Sequence, residues 1–430
     1  MPPNIAESLP GQKGEGNMLK RTVLQATAIL LCGTLAALPA AAETAAKGEV
    51  KWAPAVKPKP LSDNVNRGLT WLVQHQLDSG AWGQGEESSA MGGGAKLKDV
   101  PSVADTCAAA LALIRSGSTP SKGPYAKNIL AAVKFVCTEL DKPDKDSIYV
   151  TDTRGTRLQA KLGPYIDTFL SCLLLSEVQE TMPDDKGQEL ASAALDKVLH
   201  KLQKNQRGDG TWDDRGWAPA LAQAIAVKGF NRAAQNGKQV DETVRARAGD
   251  YARKQFDKSS GGFSKTGSAG VDLYAAAASL GGQSDSVNTN TAREAVVRQS
   301  LKLATTQQAR AQATATLVRF ENEKKDLEQA QTAVVQKLSD KRFIAGFGSN
   351  GGEEFLSYMN IGESLVVKGG DDWQKWDKSI TENMNRIQNQ DGSWTGHHCI
   401  TGRSFCTSAA LLVLMVDRTP VPIAAKFARR

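Results

Sequence analysis

The amino-acid sequence predicts an all-α protein: six helical hairpins that close into an (α/α)6 toroid, with a coiled-coil-like helical insertion in the fifth hairpin. Three observations support this prediction. Beyond residue 60, apolar residues recur at helical spacing and strand-like alternation is nearly absent. Charged helices alternate with helices rich in Ala and Leu. A Gln-x-x-x-Gly-x-Trp pattern occurs three times, and repeats of this kind are a strong guide to architecture.

The segments before the toroid carry an export pattern. Residues 1–17 are polar and are predicted to be disordered or to result from a mis-called start, with Met18 as the true one. Residues 18–42 resemble a signal peptide, with a basic start, an apolar run and small residues at a cleavage site. Cys32 leaves lipoprotein anchoring as an alternative, and residues 43–60 are predicted to be a linker. The protein is therefore expected to be exported, periplasmic or secreted, with no membrane span after signal removal.

Each predicted hairpin consists of a charged outer helix followed by an Ala/Leu-rich inner helix. Since one pair cannot bury its apolar face alone, the pairs are expected to close into a ring over residues 61–417, before a tail at 418–430. The six predicted pairs are 62–76 with 101–117, 124–140 with 163–180, 188–205 with 215–229, 241–257 with 268–281, 292–341 with 352–368, and 372–389 with 404–416.

The fifth region, 292–341, is too long for an ordinary outer helix. Residues 304–338 are therefore predicted to be a helical insertion that the toroid does not need for folding. It is either an antiparallel hairpin that rests against residues 292–308 or a projecting coiled coil for a protein partner. Its apolar residues follow three-four spacing, interrupted by two polar residues: Leu317, Phe320, Lys324, Leu327, Gln331, Val334 and Leu338.

The three repeated corners have a structural explanation. A glycine permits the left-handed backbone that ends a helix. The tryptophan folds back as an apolar lid whose N–H needs an acceptor, and the glutamine can bond exposed backbone. A looser copy runs from Tyr251 to Phe263. The clear corners are Gln76, Gly80 and Trp82; Gln206, Gly210 and Trp212; and Gln388, Gly392 and Trp394.

These corners resemble the QW motif of the squalene/oxidosqualene cyclase and prenyltransferase superfamily. The resemblance covers most of residues 61–417 and implies a short, exported α/α toroid. The Asp-x-Asp-Asp motif of squalene-hopene-type cyclases is absent from the inner-helix starts. Phe and Tyr are few, at 11 and 6, although a carbocation channel needs aromatic faces. We therefore expect a degenerate or non-cyclase member that binds a hydrophobic small molecule, an envelope component or a protein partner; the alternative is an enzyme acting on a terpenoid or lipid-like substrate.

Acidic and histidine residues recur where the inner helices should start. Each carboxylate alone is explained as a helix cap. In a toroid, however, these ends converge on one mouth of the central cavity, which makes them a candidate site. Tyr165, Tyr274 and Tyr358 nearby leave a polysaccharide lyase as a further alternative. The candidate mouth residues are Asp105, Asp167, Asp272, Glu353, Glu354, His397 and His398.

The cysteines suggest two exclusive arrangements. By resemblance to prenyltransferase β-subunits, which bind zinc through an Asp-x-Cys and a His, Asp105, Cys107 and His398 could hold zinc; no other cofactor is expected. In an oxidising compartment, Cys107 would instead pair with Cys399 or Cys406 and join the ring ends, with Cys399–Cys406 as a local alternative.

The charge balance narrows the class of partners. The formal net charge is +7 and the isoelectric point about 9.0. No dense Lys/Arg stripe with interleaved aromatic residues is present, which argues against nucleic-acid binding. A basic exported protein could still adhere to anionic envelope surfaces.

Overall fold

A computed structural model describes residues 52–88, 97–213, 215–348 and 350–422. The predictions for residues 1–17, for the signal peptide and for Cys32 lie outside this part of the chain. Within it the protein is all-α, which confirms the predicted fold class. The strands form only two short two-stranded sheets. In the described residues, no helix is long and apolar enough to cross a membrane.

The helices follow one another in the order that the sequence predicts, with two short additional ones. The elements are β1 (Trp52–Pro54), α1 (Asp63–Gln74), α2 (Val103–Arg115), α3 (Ala126–Leu140), α4 (Arg157–Leu162), α5 (Ile166–Glu177), α6 (Asp185–Asn205), α7 (Pro219–Gln235), α8 (Glu242–Lys254), β2 (Phe256–Asp257), β3 (Gly262–Phe263), α9 (Asp272–Leu303), α10 (Gln307–Lys337), α11 (Lys341–Ala345), α12 (Gly352–Lys368), α13 (Gly370–Arg386), α14 (Arg403–Leu414) and β4 (Pro420–Pro422).

Six of these helices form what we call the inner ring: α2, α5, α7, α9, α12 and α14. Each contacts the next in this order, and α14 contacts α2, so the circuit of contacts is closed. Nearly every residue of α2, α5, α12 and α14 is buried, as expected for helices surrounded by protein. The remaining long helices bury one face against the ring. This contact order is the one that an (α/α)6 toroid predicts.

The inner-ring helices run in the same direction. At their amino ends, the Ala104 N–H donates to the Asp167 carboxylate, and the Tyr274 hydroxyl donates to Glu354. At their carboxyl ends, Arg115 pairs with Glu177. Starts therefore contact starts and ends contact ends, which places all six amino ends at one side of the ring. We call that side the mouth.

The three repeated corners make the same hydrogen bonds. The indole N–H of each tryptophan donates to a backbone carbonyl ten residues earlier, at 2.8 Å in all three cases. The glycines Gly80, Gly210 and Gly392 have positive φ, between 84° and 94°. The tryptophans are buried, so each corner fixes the turn between an outer helix and the inner helix that follows. The looser copy differs, because β2 and β3 form a small hairpin there.

Each corner glutamine also ties its own turn to the next outer helix. The Gln76 side chain donates to the carbonyls of Gly80 and Asn128, and Gln206 donates to that of Val244 in α8. Gln388 donates to the carbonyl of Asn64 in α1, at 2.8 Å. The third corner therefore joins the last hairpin to the first, and the same side-chain bond that links neighbouring hairpins also closes the ring.

The fifth hairpin differs from the prediction. The fourth inner helix does not end near residue 281 but continues to Leu303, because the Gly281–Gly282 pair serves close packing rather than a helix end. A Cβ on Gly282 would lie 2.6 Å from the Cβ of Ala252 in α8. Helix α10 then returns antiparallel to α9. The expected antiparallel hairpin is present, but its first helix is the extension of α9 and not a separate helix.

The segment 304–338 is not separate from the main core as a whole. Its second half is the outer helix of the fifth hairpin: Leu327, Ala330 and Val334 belong to the main hydrophobic core. Gln331 also donates to the backbone carbonyl of Ser364 in α12. Only the first half stands apart, in a separate small core with the end of α9. The expected excision of 304–338 would therefore remove part of the main core.

The predicted linker and tail are partly structured. Strand β1 pairs antiparallel with β4, with Trp52 opposite Pro422. The Trp52 ring lies over the Arg232 guanidinium, 4.3 Å from it, and its N–H donates to Asn236. Residues 52–60 and 418–422 therefore belong to the folded domain, where they cover the carboxyl ends of the inner ring.

The predicted ring-closing disulfide is not formed. The five described cysteines, Cys107, Cys137, Cys172, Cys399 and Cys406, are free and buried. The Cys107 sulfur faces the Ser171 hydroxyl of α5, at 3.8 Å, whereas Cys406 donates to the Ile400 carbonyl. The two thiols are thus turned towards different neighbours, and the hydrogen bonds of the third corner close the ring instead.

Candidate functional site

Two of the predicted mouth carboxylates are structural caps. Asp105 accepts a hydrogen bond of 2.6 Å from the Ser102 hydroxyl at the start of α2. Asp167 accepts from the Ala104 N–H and from the Gln159 side chain, and so joins the starts of α5 and α2. Burial raises the pKa of Asp105 to about 7 and also raises the pKa of Asp167. Both oxygens of Asp167 and one oxygen of Asp105 are occupied by these bonds, so the two residues hold the starts of α2 and α5 in place.

Two other predicted residues lie at the surface. Asp272 is half exposed and pairs with Lys265 at 2.9 Å. The His397 side chain is exposed, and its backbone N–H donates to the Asn350 carbonyl. Neither contacts the buried carboxylates of the mouth through a described hydrogen bond or ion pair. The structure therefore divides the predicted set, and only three of its members come together.

These three are Glu353, Glu354 and His398. Both glutamates are fully buried in the first turn of α12. Glu354 Oε1 accepts from the Tyr274 hydroxyl and from the Phe347 N–H, while its Oε2 lies 3.4 Å from His398 Nε2. That separation is too long for a well-formed charge-assisted hydrogen bond. Among the described residues, none makes a hydrogen bond to Glu354 Oε2, to Glu353 Oε1 or to either ring nitrogen of His398.

Burial gives Glu353 an unusual protonation state. Its Oε2 accepts from the Ile400 N–H at 3.2 Å. Removal from water, together with the neighbouring Glu354 carboxyl group, raises the pKa of Glu353 to about 8. Glu353 therefore holds a proton at neutral pH, and its unpartnered Oε1 can donate or accept a hydrogen bond there.

An aromatic patch covers the buried carboxylates. Phe347 is 55% exposed and Trp217 is 37% exposed, and their ring centroids lie 5.5 Å apart, edge to face. Phe347 also makes an edge contact of 5.2 Å with the His398 ring. Lys161 places its ammonium 5.3 Å from the centre of the Trp217 ring. We call Trp217, Phe347, His398, Glu353 and Glu354 the mouth cluster.

A glycine-rich loop before α12 lies directly against this cluster. A Cβ on Gly348 would lie 2.6 Å from His398 Cδ2, and a Cβ on Gly351 would lie 2.7 Å from Glu354 Oε2. Gly346 adopts a positive φ of 60°. Any larger side chain at these positions would collide with the cluster, so glycine is needed for the close approach of backbone to Glu354 and His398.

The sequence alone does not reveal the aromatic members of this site. Trp217 and Phe347 lie in connections before inner helices and are not part of a periodic pattern. The sequence indicates Tyr274 only as a residue of the lyase alternative, whereas in the structure its hydroxyl donates to Glu354. Tyr358 donates to the Ile344 carbonyl, and Tyr165 contacts Arg215 at 3.4 Å. A large aromatic residue close before an inner-helix start is the signal that could have indicated Trp217.

The residues of the predicted zinc site are not arranged as ligands. Within the described ranges, no three His, Cys, Asp or Glu side chains are grouped in a way that could hold a metal ion. Burial raises the pKa of the Cys107 thiol, which disfavours the thiolate that zinc requires. His398 faces Glu354 and Phe347 instead. Asp105, Cys107 and His398 therefore do not fit a zinc ion in this structure.

The opposite end of the inner ring is filled by paired charges. Lys228 lies 2.8 Å from an Asp285 oxygen and 2.6 Å from a Glu363 oxygen. Arg115 and Arg232 share Glu177. All these side chains are nearly buried, and β1 and β4 cover them. A buried network of this kind is hydrophilic and closed, so an apolar ligand body would fit the mouth and not this end.

Comparison of the chain with protein-family models and with curated protein sequences gave no match. The assignment of function therefore depends on the geometry described above.

Proposed function

We propose that this chain is a QW-type α/α toroid that binds, without transforming it, a lipid-like molecule with a hydroxyl head group at the mouth cluster. The observation that carries the proposal is that the exposed pair Trp217 and Phe347 lies beside buried polar atoms to which the described residues supply no hydrogen-bond partner; Phe347 contacts the His398 ring. Binding sites for small molecules usually combine apolar surface with a few convergent polar groups. The export pattern at residues 18–42 fits an envelope ligand.

The two parts of the proposed ligand follow from the two parts of the site. Trp217 and Phe347 offer aromatic surface for an apolar body. Glu353, Glu354 and His398 offer unpaired acceptors and donors, and a hydroxyl group can serve both because it donates once and accepts twice. A buried polar atom without a partner is costly, so a hydroxyl that satisfies one of them gains affinity. Since the glycine loop presses on these atoms, the proposal requires that the loop moves when the head group enters.

The test uses three probes that differ only in their head group: decanol, decanoate and decyltrimethylammonium. Titration calorimetry of the purified protein is expected to show that decanol binds. Truncation of both rings, Trp217→Ala with Phe347→Ala, should weaken binding by about tenfold for each ring removed. Leu190→Ala is the matched control, because Leu190 is 42% exposed on another helix. An unchanged affinity in the double variant would refute the proposed site.

A second candidate function is catalysis on a terpenoid or lipid-like substrate. The observation that favours it is Glu353, a buried carboxylic acid that keeps its proton near neutral pH and could therefore act as a general acid. The variant Glu353→Gln separates the two functions. If the protein only binds, Glu353→Gln should retain most of the affinity for decanol. If the protein is an enzyme, a lipid-like substrate recovered with it should be converted by the wild type and not by Glu353→Gln.

A further inference from the structure

The end of α9 and the start of α10 form a separate projection, which we call the distal hairpin and define as residues 295–318. Val297 and Ala313 of this hairpin form a small hydrophobic core with Phe320, just beyond its end, and Leu301 and Leu317 pack against it; this core is separate from the main one. The turn between the two helices, at residues 304–306, is mostly exposed. The distal hairpin is therefore an ordered element that extends away from the helices of the inner ring.

The charge of the distal hairpin is entirely positive. Residues 295–318 contain no Asp or Glu, and their basic residues are Arg298, Lys302 and Arg310. Arg298 is paired with Glu294 at the base of the hairpin. Among the described residues, no ion pair joins Lys302 or Arg310 to an acidic side chain, and both are exposed. Two basic side chains thus flank the tip without a neutralising partner.

The same tip exposes a large aliphatic side chain. Leu303 is 71% exposed, which is more than any other large hydrophobic residue in the described part of the chain. It is the last residue of α9 and lies beside Lys302. Val318, on α10, is also more than half exposed. An apolar tip bordered by basic residues is the arrangement that inserts into the interface of a membrane with anionic lipids.

We propose that the distal hairpin docks the protein on an anionic lipid surface, with Leu303 inserted between head groups and with Lys302 and Arg310 against their phosphates. Charge complementarity selects this occupant, since the tip carries unpaired positive charge and no negative charge. A nucleic acid fits less well, because the distal hairpin offers no exposed aromatic ring on which bases could stack. An acidic protein would need the basic residues but would not need an exposed leucine at the tip.

The experiment measures co-sedimentation of the full chain with two kinds of vesicle. One kind is pure phosphatidylcholine, and the other is phosphatidylcholine mixed with phosphatidylglycerol. We expect binding to the mixed vesicles only, and weaker binding as the salt concentration rises. Reversal of both charges, Lys302→Glu with Arg310→Glu, should reduce the partition coefficient by at least about 25-fold, at about fivefold for each basic side chain lost.

Two further variants make the result specific. Lys127→Glu with Lys134→Glu changes the net charge equally, on the exposed face of α3, and should bind like the wild type. Leu303→Ser should weaken binding to the mixed vesicles, because it removes the apolar insertion and leaves the charges. Circular dichroism verifies that each variant is folded. The proposal is overturned if the wild type does not bind the mixed vesicles, if both double variants lose binding equally, or if Leu303→Ser binds unchanged.

Discussion

The corner tryptophans are the residues whose role is clearest. Trp82 and Trp394 are fully buried, and the indole of each is bonded to a carbonyl of the preceding outer helix. Replacing Trp82, Trp212 or Trp394 with Ala removes a large buried side chain and leaves a cavity beside an unpaired carbonyl. We expect each change to lower the free energy of unfolding by about 3–5 kcal/mol in urea denaturation. Trp217→Ala, at an exposed position, should have little effect, and equal losses for Trp82 and Trp217 would contradict this explanation.

Glu353 should make stability depend on pH. Its folded pKa of about 8 lies above its usual value near 4.5. The stabilising contribution of the protonated form is therefore complete below pH 4.5, and it is lost as pH rises to about 8, because the unfolded state releases its proton first. In this window the wild type should lose about 1.4 kcal/mol per pH unit relative to Glu353→Gln. Urea denaturation of both proteins at several pH values measures this difference, and a constant difference would show that Glu353 ionises normally.

At the scale of residues, the candidate site could be predicted only in part. Glu353, Glu354 and His398 are identifiable because they lie near predicted inner-helix starts, which a toroid brings together at one mouth. The same argument also selects Asp272, which the structure places at the surface with Lys265, and Asp105 and Asp167, which are caps. Sequence spacing fixes where a residue lies along a helix but not whether its remaining oxygen is already bonded. Trp217 and Phe347 are not predicted as site residues, because they lie in the loops before α7 and α12, where the sequence has no periodic pattern.

At the scale of elements, the difficulty is the boundary between α9 and α10. A pair of glycines usually weakens a helix, so Gly281 and Gly282 suggest an end. In the structure these two glycines lie inside the helix. Because they have no side chain, α9 packs closely against α8 on one side and against α12 on the other. Tertiary packing thus overrides the local preference, which a single sequence does not show. The apolar residues of α10 do follow three-four spacing, but those in its first half pack in the small distal core and those in its second half pack in the main core.

This division of α10 predicts different outcomes for two deletions. Replacing residues 295–318 with a short Gly/Ser linker removes the small distal core except Phe320 and leaves the main core intact, so the remaining protein should keep a cooperative thermal transition. Replacing residues 304–338 also removes Leu327, Ala330 and Val334 from the main core, and the product should unfold or aggregate. Circular dichroism melting curves compare the two directly. If the two deletions behaved alike, the boundary between the two cores would be misplaced.

At the scale of the whole molecule, the sequence predicts the architecture well, because the corners and the alternation of helices repeat. The order of contacts around the inner ring follows from connecting each hairpin to the next. Closure is harder to foresee. The cysteine positions predict a disulfide between the ring ends, whereas in the structure Gln388 and Asn64 make the closing bond with the same chemistry as the other corners. A repeated motif can therefore close a ring by itself if its last copy meets the first hairpin.

Closure of this kind predicts that the chain can be opened elsewhere. Strands β1 and β4 hold the two ends of the folded domain side by side, with Trp52 opposite Pro422, so a short Gly/Ser linker can join them. New ends can lie between Ser259 and Ser260, in the exposed turn between β2 and β3. In this circular permutant the chain runs from α14 through β4, the linker, β1 and α1 to α2, and every contact of the inner ring is retained. Because termini that lie together at the surface tolerate permutation, we expect helical content and melting temperature close to those of the linear fragment 52–422.

The matched control opens the same joined chain between Ala224 and Ile225, which are buried in the inner-ring helix α7. That cut exposes backbone groups inside the core and should prevent folding. A permutant opened at Ser259 that fails to fold while the linear fragment folds would mean that the contact between α14 and α2 is not equivalent to the other five. If the permutant opened at Ser259 and the linear fragment 52–422 are equally stable, the contact between α14 and α2 is equivalent to the other five. This is the outcome that we expect of six consecutive hairpins joined by the same corner hydrogen bonds.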